Sequence, residues 1–245
     1  MRKLLPLMFV LLPSLAMAQK NAIKVNLPSL AIRNYHVQYE RKILPKITLN
    51  LGVRIMPKGS LPMQSTLEKY AGLDDPDLEL GKFEIGNTAF TLEPRFYLSK
   101  KAMKGFYIAP YARYATFDLT LPFKYTYNDP ATVPPQSTTK TALFNGKVNS
   151  FSGGLMFGTQ FNLGKRVVLD IWWLGGHFGS SNGDLRFDVA LPTQEERTAV
   201  ENSIKDFDPS PFKIKYQVGP NGAVIESDGP WAGIRALGVN LGIRF

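Results

Sequence analysis

Apolar and polar residues alternate with a period of two along several segments of this chain. The clearest example is the segment 231–245. One of its faces is apolar and carries Leu237, Val239, Leu241, Ile243 and Phe245. The other face is small, polar or basic and carries Ala236, Gly238, Asn240, Gly242 and Arg244. This repeat predicts a β-strand with one face toward hydrocarbon and the other toward a polar interior.

The same alternation recurs often enough to predict a closed sheet. Strong copies lie at 47–55, 90–98, 150–161 and 168–173, and weaker copies at 23–30, 35–43 and 106–121. Short links at 44–45, 99–104 and 163–164 alternate with long links at 57–84, 120–146 and 180–230. Strict alternation of short and long links is typical of bacterial membrane barrels. We therefore expect an all-β fold, an antiparallel eight-stranded transmembrane β-barrel with long extracellular loops.

Two of the long loops carry the S/T-x-x-E pattern that caps helix N-termini, at 65–68 and at 193–196. From Gln194 to Lys205, the residues Ala199, Val200 and Ile204 fall on one helical stripe. We therefore expect one or two short helices in the loops, which either cover the barrel mouth or pack against their own loop. The prolines within 129–139 predict an unstructured segment there.

The N-terminal residues have the pattern of a secretory signal peptide. A basic start at Arg2 and Lys3 precedes an apolar run at 4–15 and the small-residue site Ala16-Met17-Ala18. The apolar run is too short for a membrane-spanning helix and is interrupted by prolines. We expect a signal peptide at 1–18, cleaved after Ala18, and a single barrel domain at 19–245.

Composition narrows the function classes. The chain has no cysteine, which excludes disulfides and thiolate metal sites. Its net charge of +9 falls to +7 once Arg2 and Lys3 are removed, but export argues against nucleic acid as the partner. The acidic run at 74–77 matches no calcium loop. We expect no metal and no cofactor.

The inward face of the predicted barrel is rich in large polar side chains of both signs. It comprises Lys24, His36, Gln38, Glu40, Asn50, Arg54, Glu93, Arg95, Tyr97, Tyr111, Arg113, Asp170, Trp172 and Arg244. An eight-stranded barrel leaves room only for its own side chains. We therefore predict a structural network in which the carboxylates Glu40, Glu93 and Asp170 pair with the guanidinium groups of Arg54, Arg95, Arg113 and Arg244. A proton or ion path through these groups is the alternative.

The segment that ends at Phe245 resembles the closing strand of Gram-negative outer-membrane barrels. In those barrels the terminal aromatic residue is the signal for the barrel-assembly machinery. The segments 21–27 and 37–41 resemble opening strands of small, porin-like barrel families of unknown function. The resemblance implies an outer-membrane location, with membrane lipids and the assembly machinery as partners, and it implies no reaction.

Two lipid A-modifying families, the palmitoyltransferases and the deacylases, are also eight-stranded barrels and supply an enzymatic alternative. Strand parity places His177 on the outer surface near the long loops, with Ser180 and Asp184 close by as nucleophile and orienting acid. The spacing departs from the His-x-Ser of the deacylases and turns the hydroxyl to the other face. We therefore expect a non-enzymatic barrel with a structural or surface-binding role through its extracellular loops. The alternatives are a lipid A deacylase or acyltransferase and a narrow solute pore.

Overall fold

The computed structural model describes residues 20–62, 64, 80–207 and 210–245. Its strands are β1 (Asn21–Asn26), β2 (Tyr35–Leu44), β3 (Ile47–Ser60), β4 (Glu84–Tyr97), β5 (Gly105–Asp129), β6 (Gln136–Leu163), β7 (Val167–Phe187), β8 (Lys213–Gly219) and β9 (Gly222–Arg244). Within these residues, the links between strands contain the α-helices α1 (Leu27–Ala31) and α2 (Gln194–Asp206) and a 3-10 helix (Leu80–Lys82). The predicted signal peptide, the capping pattern at 65–68 and the acidic run at 74–77 lie outside the described residues.

Eight of the strands form a closed antiparallel ring, in the order β1 to β7 followed by β9. The ring closes because β1 pairs with both β2 and β9. At this seam the N–H of Asn21 donates to the carbonyl of Phe245, and the N–H of Phe245 donates back to the carbonyl of Asn21, each at 3.0 Å. The predicted antiparallel ring of eight strands is confirmed.

Side chains alternate between the interior and the exterior of this ring, as a period of two requires. Interior residues are mostly polar, and Gln38, Asn50 and Asn240 are almost fully buried. Exterior residues are large, apolar and exposed on every strand of the ring, for example Ile23, Val37, Leu51, Phe90, Phe106, Phe151, Trp173 and Ile243. We call this exterior surface the apolar belt. Its polarity is the reverse of that in a water-soluble domain.

A bulge in β7 changes which residues face the interior. The register between β6 and β7 shifts between Phe157 and Gly158, and the consecutive residues Trp173 and Leu174 are both exposed. Directly across, the adjacent β9 residues Ala236 and Leu237 are also both exposed, and Leu237 has a φ of 39°. Beyond this point the alternation is inverted in both strands.

Four strands of the ring continue past it on the side of the long links. Pairing between β4 and β5 ends at Thr120, whereas β5 and β6 stay paired as far as Asp129 and Gln136. With β8 added at the edge of β9, the extensions form a five-stranded sheet in the order β5-β6-β7-β9-β8, which we call the upper sheet. The prediction that 129–139 is unstructured is wrong for its second half, because residues 136–139 belong to β6.

Helix α2 packs against the two edge strands of the upper sheet, β5 and β8. The side chain of Thr193 accepts the Glu196 N–H at 3.2 Å, and Val200 and Ile204 are buried, as the sequence predicts. Ser203 Oγ donates to the carbonyl of Lys124 on β5 at 2.9 Å. The helix therefore covers the upper sheet where strands β1 to β4 no longer continue.

An aromatic and aliphatic core lies between α2 and the upper sheet. Its buried members are Tyr125, Tyr127, Ala142, Phe144, Leu185, Phe187, Leu191, Val200, Ile204, Ala223 and Ile225. Burial of this many apolar side chains gives the upper sheet a core separate from the ring. Helix α2 therefore packs on the loop region's own apolar residues, the second of the two expected arrangements.

The first outer link folds into the short helix α1. The Asn26 side chain accepts the N–H of Ser29 at 3.0 Å, and Pro28 lies in the first turn, where its missing N–H is not needed. Strand β1 therefore ends at Asn26. The alternation had predicted that it continues to Leu30. None of the helices in the described part of the chain is long and apolar enough to cross a membrane.

Candidate functional site in the barrel interior

A network of charged side chains fills the ring on its short-turn side. It draws Lys24 from β1, Glu40 from β2, Glu93 and Arg95 from β4, and Asp170 from β7, all fully or almost fully buried. Each lies at an inward position of its strand, so the period-two repeat brings them together on the barrel axis. We call this group the charged plug.

Lys24 and Arg95 hold the carboxylates of the plug together. Lys24 Nζ lies 2.7 Å from Glu40 Oε2 and 2.7 Å from Asp170 Oδ2. Arg95 Nη1 lies 2.7 Å from the same oxygen of Asp170, and its Nη2 lies 2.8 Å from Glu93 Oε2. These short contacts between fully buried partners offset the cost of removing the charges from water.

Neutral donors satisfy most of the remaining carboxylate oxygens. The hydroxyls of Tyr97 and Thr48 donate to Glu40 Oε1 at 2.6 and 2.5 Å. The hydroxyl of Tyr107 donates to Asp170 Oδ1 at 2.7 Å, and Asn50 Nδ2 donates to Glu93 Oε2 at 2.9 Å. A network in which both oxygens of each carboxylate have partners is rigid, because moving one side chain leaves several buried polar groups without hydrogen bonds.

Arg235 also belongs to the plug, although the simple alternation placed it outside. Its Nη1 lies 2.9 Å from Glu93 Oε1, and its guanidinium group stacks on the rings of Tyr111 at 4.9 Å and Trp172 at 4.4 Å. The change of parity at Leu237 turns this side chain inward. The apolar pair Ala236-Leu237 was the one sequence signal of that change.

Three of the arginines predicted to pair with carboxylates lie elsewhere. Arg54 donates from Nε and Nη2 to Asn87 Oδ1, at 2.9 and 2.5 Å. Arg113 is buried and has no hydrogen-bond or ion-pair partner among the described residues. Arg244 lies at the short-turn end and donates to the carbonyl of Lys165 at 3.0 Å. Of the four predicted arginines, the structure brings only Arg95 to the acidic residues, and Lys24 and Arg235 take the other positions.

The residues weighed as a catalytic triad do not meet. His177 points inward because of the β7 bulge, which makes the prediction of an outward ring wrong, and its Nδ1 lies 3.1 Å from the Tyr111 hydroxyl. Ser180 is exposed three residues along the same strand, on the opposite face. Asp184 is also exposed, and its carboxylate lies 3.6 Å from Arg186 Nε. The arrangement does not place a base beside the hydroxyl.

The described residues contain no group of three or more histidine or acidic side chains arranged to hold a metal ion. A pair of arginines, Arg54 and Arg113, lies instead next to the plug, and neither is hydrogen-bonded to a carboxylate of the described residues. Two histidines border it: His36, whose ring centre lies 5.4 Å from that of Trp172, and His177. We call this group the arginine layer.

A second feature lies on the outer face of the upper sheet. It is a groove of about 620 Å³ between β7, β9 and β8. Side chains of both signs line it, among them Asp184, Arg186, Lys213, Lys215, Glu226 and Asp228. A smaller cavity shares Asn149, Asn182 and Asp228 with it and reaches Phe151 of the apolar belt.

Comparison with protein families gives one match for this chain. The model described as "Protein of unknown function (DUF3575)" matches residues 4–182. A search of curated proteins finds no match.

Proposed function

The chain belongs to the DUF3575 family of proteins of unknown function, and from this premise we propose that it is a non-enzymatic, integral outer-membrane β-barrel. Its interior is closed by the charged plug, and its upper sheet faces the cell exterior and carries a surface-binding role. The N-terminal residues then serve export as a signal peptide.

The observation that carries this proposal is the reversed polarity of the ring. Fully buried charges fill its interior, and exposed large apolar residues cover its exterior on all eight strands. Water-soluble monomers rarely expose a contiguous apolar surface of more than a few hundred Å². Hydrocarbon around the ring accounts for the apolar belt, and closure of the ring through β1 and β9 leaves no free strand edge at the level of the belt, as the pairing of every backbone group in lipid requires.

The distribution of charge supports an orientation. Exposed basic residues cluster at the short-turn end: Arg41, Lys46, Lys100, Lys101, Lys104, Lys165 and Arg166. The acidic residues at the same level, Glu40 and Asp170, are buried in the plug. A basic rim of this kind favours anionic phospholipid headgroups, which fits a short-turn end at the periplasmic leaflet.

The interior supports a closed barrel in preference to a pore. Arg95, Lys24, Glu40 and Asp170 have no exposed surface. Tyr97, Tyr107 and Met156 pack with them across the ring. We therefore propose that the plug is structural and that the barrel does not conduct solutes.

The upper sheet supports the surface-binding part of the proposal. Helix α2 gives it an apolar core, and a charged groove of about 620 Å³ lies between β7, β9 and β8. A rigid sheet that stands beyond the apolar belt presents such a groove to the medium.

Fractionation of a Gram-negative host that expresses the full chain tests the location. We expect the protein in outer membranes washed with urea, with an electrophoretic mobility that shifts on boiling. Recovery as a freely soluble species that needs no detergent would contradict the proposal.

Two assays on the purified barrel separate the alternatives. Incubation with lipid A should leave its mass unchanged; acyl loss or gain with the wild type, absent in His177→Ala, would favour the enzyme instead. In planar bilayers the protein should produce no ionic conductance, and discrete single-channel current steps would favour a pore.

A further inference from the structure

The arginine layer carries more positive charge than the interior compensates. The plug contains three carboxylates, from Glu40, Glu93 and Asp170, and these contact three cations, Lys24, Arg95 and Arg235. The three cations therefore balance the charge of the three carboxylates, and the charges of Arg54 and Arg113 come in addition. Arg113 is buried and Arg54 is partly buried inside the ring, and the other charges that act on Arg54 are Arg113 and Arg235, which are also cationic.

The layer also offers donors that have no acceptor. Arg113 is 9% exposed and has no hydrogen-bond or ion-pair partner among the described residues; the carboxylate that acts on it, Glu93, is already bonded to Arg95 and Arg235. The indole Nε1 of Trp172 is buried and likewise has no hydrogen-bond partner. Arg54 is satisfied only by the amide oxygen of Asn87. An uncompensated guanidinium group in such an interior is costly, and an anion removes that cost.

Short side chains lie beside the two arginines on the neighbouring strands β4, β5 and β6. Ala89 on β4 pairs with Arg54, and Ala115 on β5 pairs with Ala89. Along the register that contains Arg113, the neighbours are Thr91 and Ser152. Such residues leave space for a small group between the cations, and their hydroxyls add donors to it.

The layer lies close to the outer end of the ring. Arg54 is the register partner of His36, which is the second residue of β2. Strands β1 and β2 end near this level, at Asn26 and Tyr35, whereas β3 and β4 stay paired as far as Ser60 and Glu84 and β5, β6, β7 and β9 continue into the upper sheet. The plug closes the other end of the interior. A solute therefore reaches the layer from the long-link side, above strands β1 and β2.

We propose that the arginine layer is a binding site for a small oxyanion of the phosphate class, held by Arg54 and Arg113 with Arg235 at its base. Guanidinium groups present paired N–H donors that match the oxygens of phosphate, and they keep their charge at every physiological pH. The site uses only the barrel interior, so it does not depend on the groove of the upper sheet or on the membrane around the belt.

Titration of the detergent-purified full chain with inorganic phosphate, followed by calorimetry, tests the proposal. We expect saturable binding of one phosphate per chain. Arg113→Gln should weaken it about 10- to 100-fold, because a hydrogen bond to a charged group is lost. Arg54→Gln should also weaken it. Arg186→Gln, which removes an exposed arginine of the upper sheet, is the matched control and should bind as the wild type does.

Mobility shift on boiling and far-ultraviolet circular dichroism show whether each variant keeps the barrel fold. If Arg113→Gln fails to fold, Arg54→Gln alone decides the outcome. Absence of saturable phosphate binding by the folded wild type would overturn the proposal, as would equal losses in Arg113→Gln and Arg186→Gln.

A parallel titration with a phosphorylated lipid in the same detergent distinguishes the source of the oxyanion. Binding of both probes that depends on Arg113 supports the site and extends it to lipid headgroups. Binding of the lipid alone, independent of Arg113, would overturn it. Because these measurements are made in detergent, they stand apart from the test of membrane location.

Discussion

Lys24 Nζ lies 2.7 Å from Asp170 Oδ2, and this contact joins strands β1 and β7, which are separated in the ring by β9. Arg95 from β4 reaches the same oxygen from the far side of the ring. One carboxylate oxygen therefore holds three parts of the barrel wall together through its interior.

Replacing Asp170 should destabilise the barrel strongly. In Asp170→Asn the cations Lys24 and Arg95 keep their charge but lose a buried counter-charge. We expect the free energy of unfolding to fall by about 3–5 kcal/mol, measured by urea unfolding of the reconstituted barrel with tryptophan fluorescence. Asp184→Asn, at an exposed carboxylate of the same strand, should change it by less than about 0.5 kcal/mol. Equal effects of the two variants would show that the plug does not stabilise the barrel.

Gly158 should be required because the hydroxyl end of the Tyr107 side chain lies against it. A Cβ at Gly158 would lie 2.4 Å from Tyr107 Cζ, and Tyr107 is buried and bound to Asp170. We expect Gly158→Ala to cost about 1–3 kcal/mol by overpacking, in the same unfolding assay. Gly153→Ala on the same strand is the control, since its Cβ would meet nothing closer than 3.9 Å. A neutral Gly158→Ala would contradict the packing described here.

The sequence alone predicted the ring and most of its interior because both follow from a local repeat. Apolar alternation identified the strands, and the same parity placed Lys24, Glu40, Glu93, Arg95 and Asp170 inside. The Thr193 cap and the stripe of Val200 and Ile204 identified α2. Membrane insertion and the signal peptide remain predictions.

The partners inside the barrel were not predictable in the same way. Which inward residues meet depends on strand tilt and register around the whole ring, so the role of Lys24 in bridging two carboxylates has no local signature. The bulge at Trp173 lies within the apolar run 171–174, where no polar residue marks the change of parity. For that reason His177 was assigned to the wrong face, and Arg235 was not among the residues predicted to lie inside. The contacts of Glu196 were not predicted either. Its carboxylate binds Tyr125 and Lys140 of the upper sheet, which are distant in the sequence.

Arginine in the apolar belt should prevent insertion, whereas arginine on the upper sheet should be tolerated. Leu51 on β3 and Leu143 on β6 are both exposed leucines of the outer surface, at 46% and 38%. If the belt contacts hydrocarbon, Leu51→Arg should cost about 2–4 kcal/mol of insertion free energy, and Leu143→Arg close to none. Folding into phosphatidylcholine vesicles, scored by the mobility shift on boiling, measures both. Equal folding yields would argue against a membrane around the belt.

The contact of Glu196 with Tyr125 and Lys140 makes the attachment of α2 sensitive to alkaline pH. Burial, assisted by the hydrogen bond to Glu196, raises the pKa of Tyr125 to about 12. The hydrogen bond from Lys140 to Glu196 raises the pKa of that ammonium group above its usual value. Because both pKa values are raised, the folded state favours the protonated forms. Their contribution is complete below about pH 10, where both groups are protonated in either state, and it is lost as pH rises through the folded values.

Helix α2 should therefore loosen between about pH 10 and 12 while the ring stays folded, because the ring strands are also joined by backbone hydrogen bonds, which do not titrate. The anisotropy of a fluorophore on a cysteine introduced at the exposed position Asn202 reports the attachment. In Tyr125→Phe the part of this transition that comes from the hydroxyl should disappear, leaving only the dependence due to Lys140. Glu196→Gln should weaken the attachment already at neutral pH, because the amide keeps an acceptor but loses the charge that binds Lys140. Identical alkaline transitions in the wild type and both variants would show that Glu196 does not hold the helix, and that the apolar contacts of Val200 and Ile204 are sufficient.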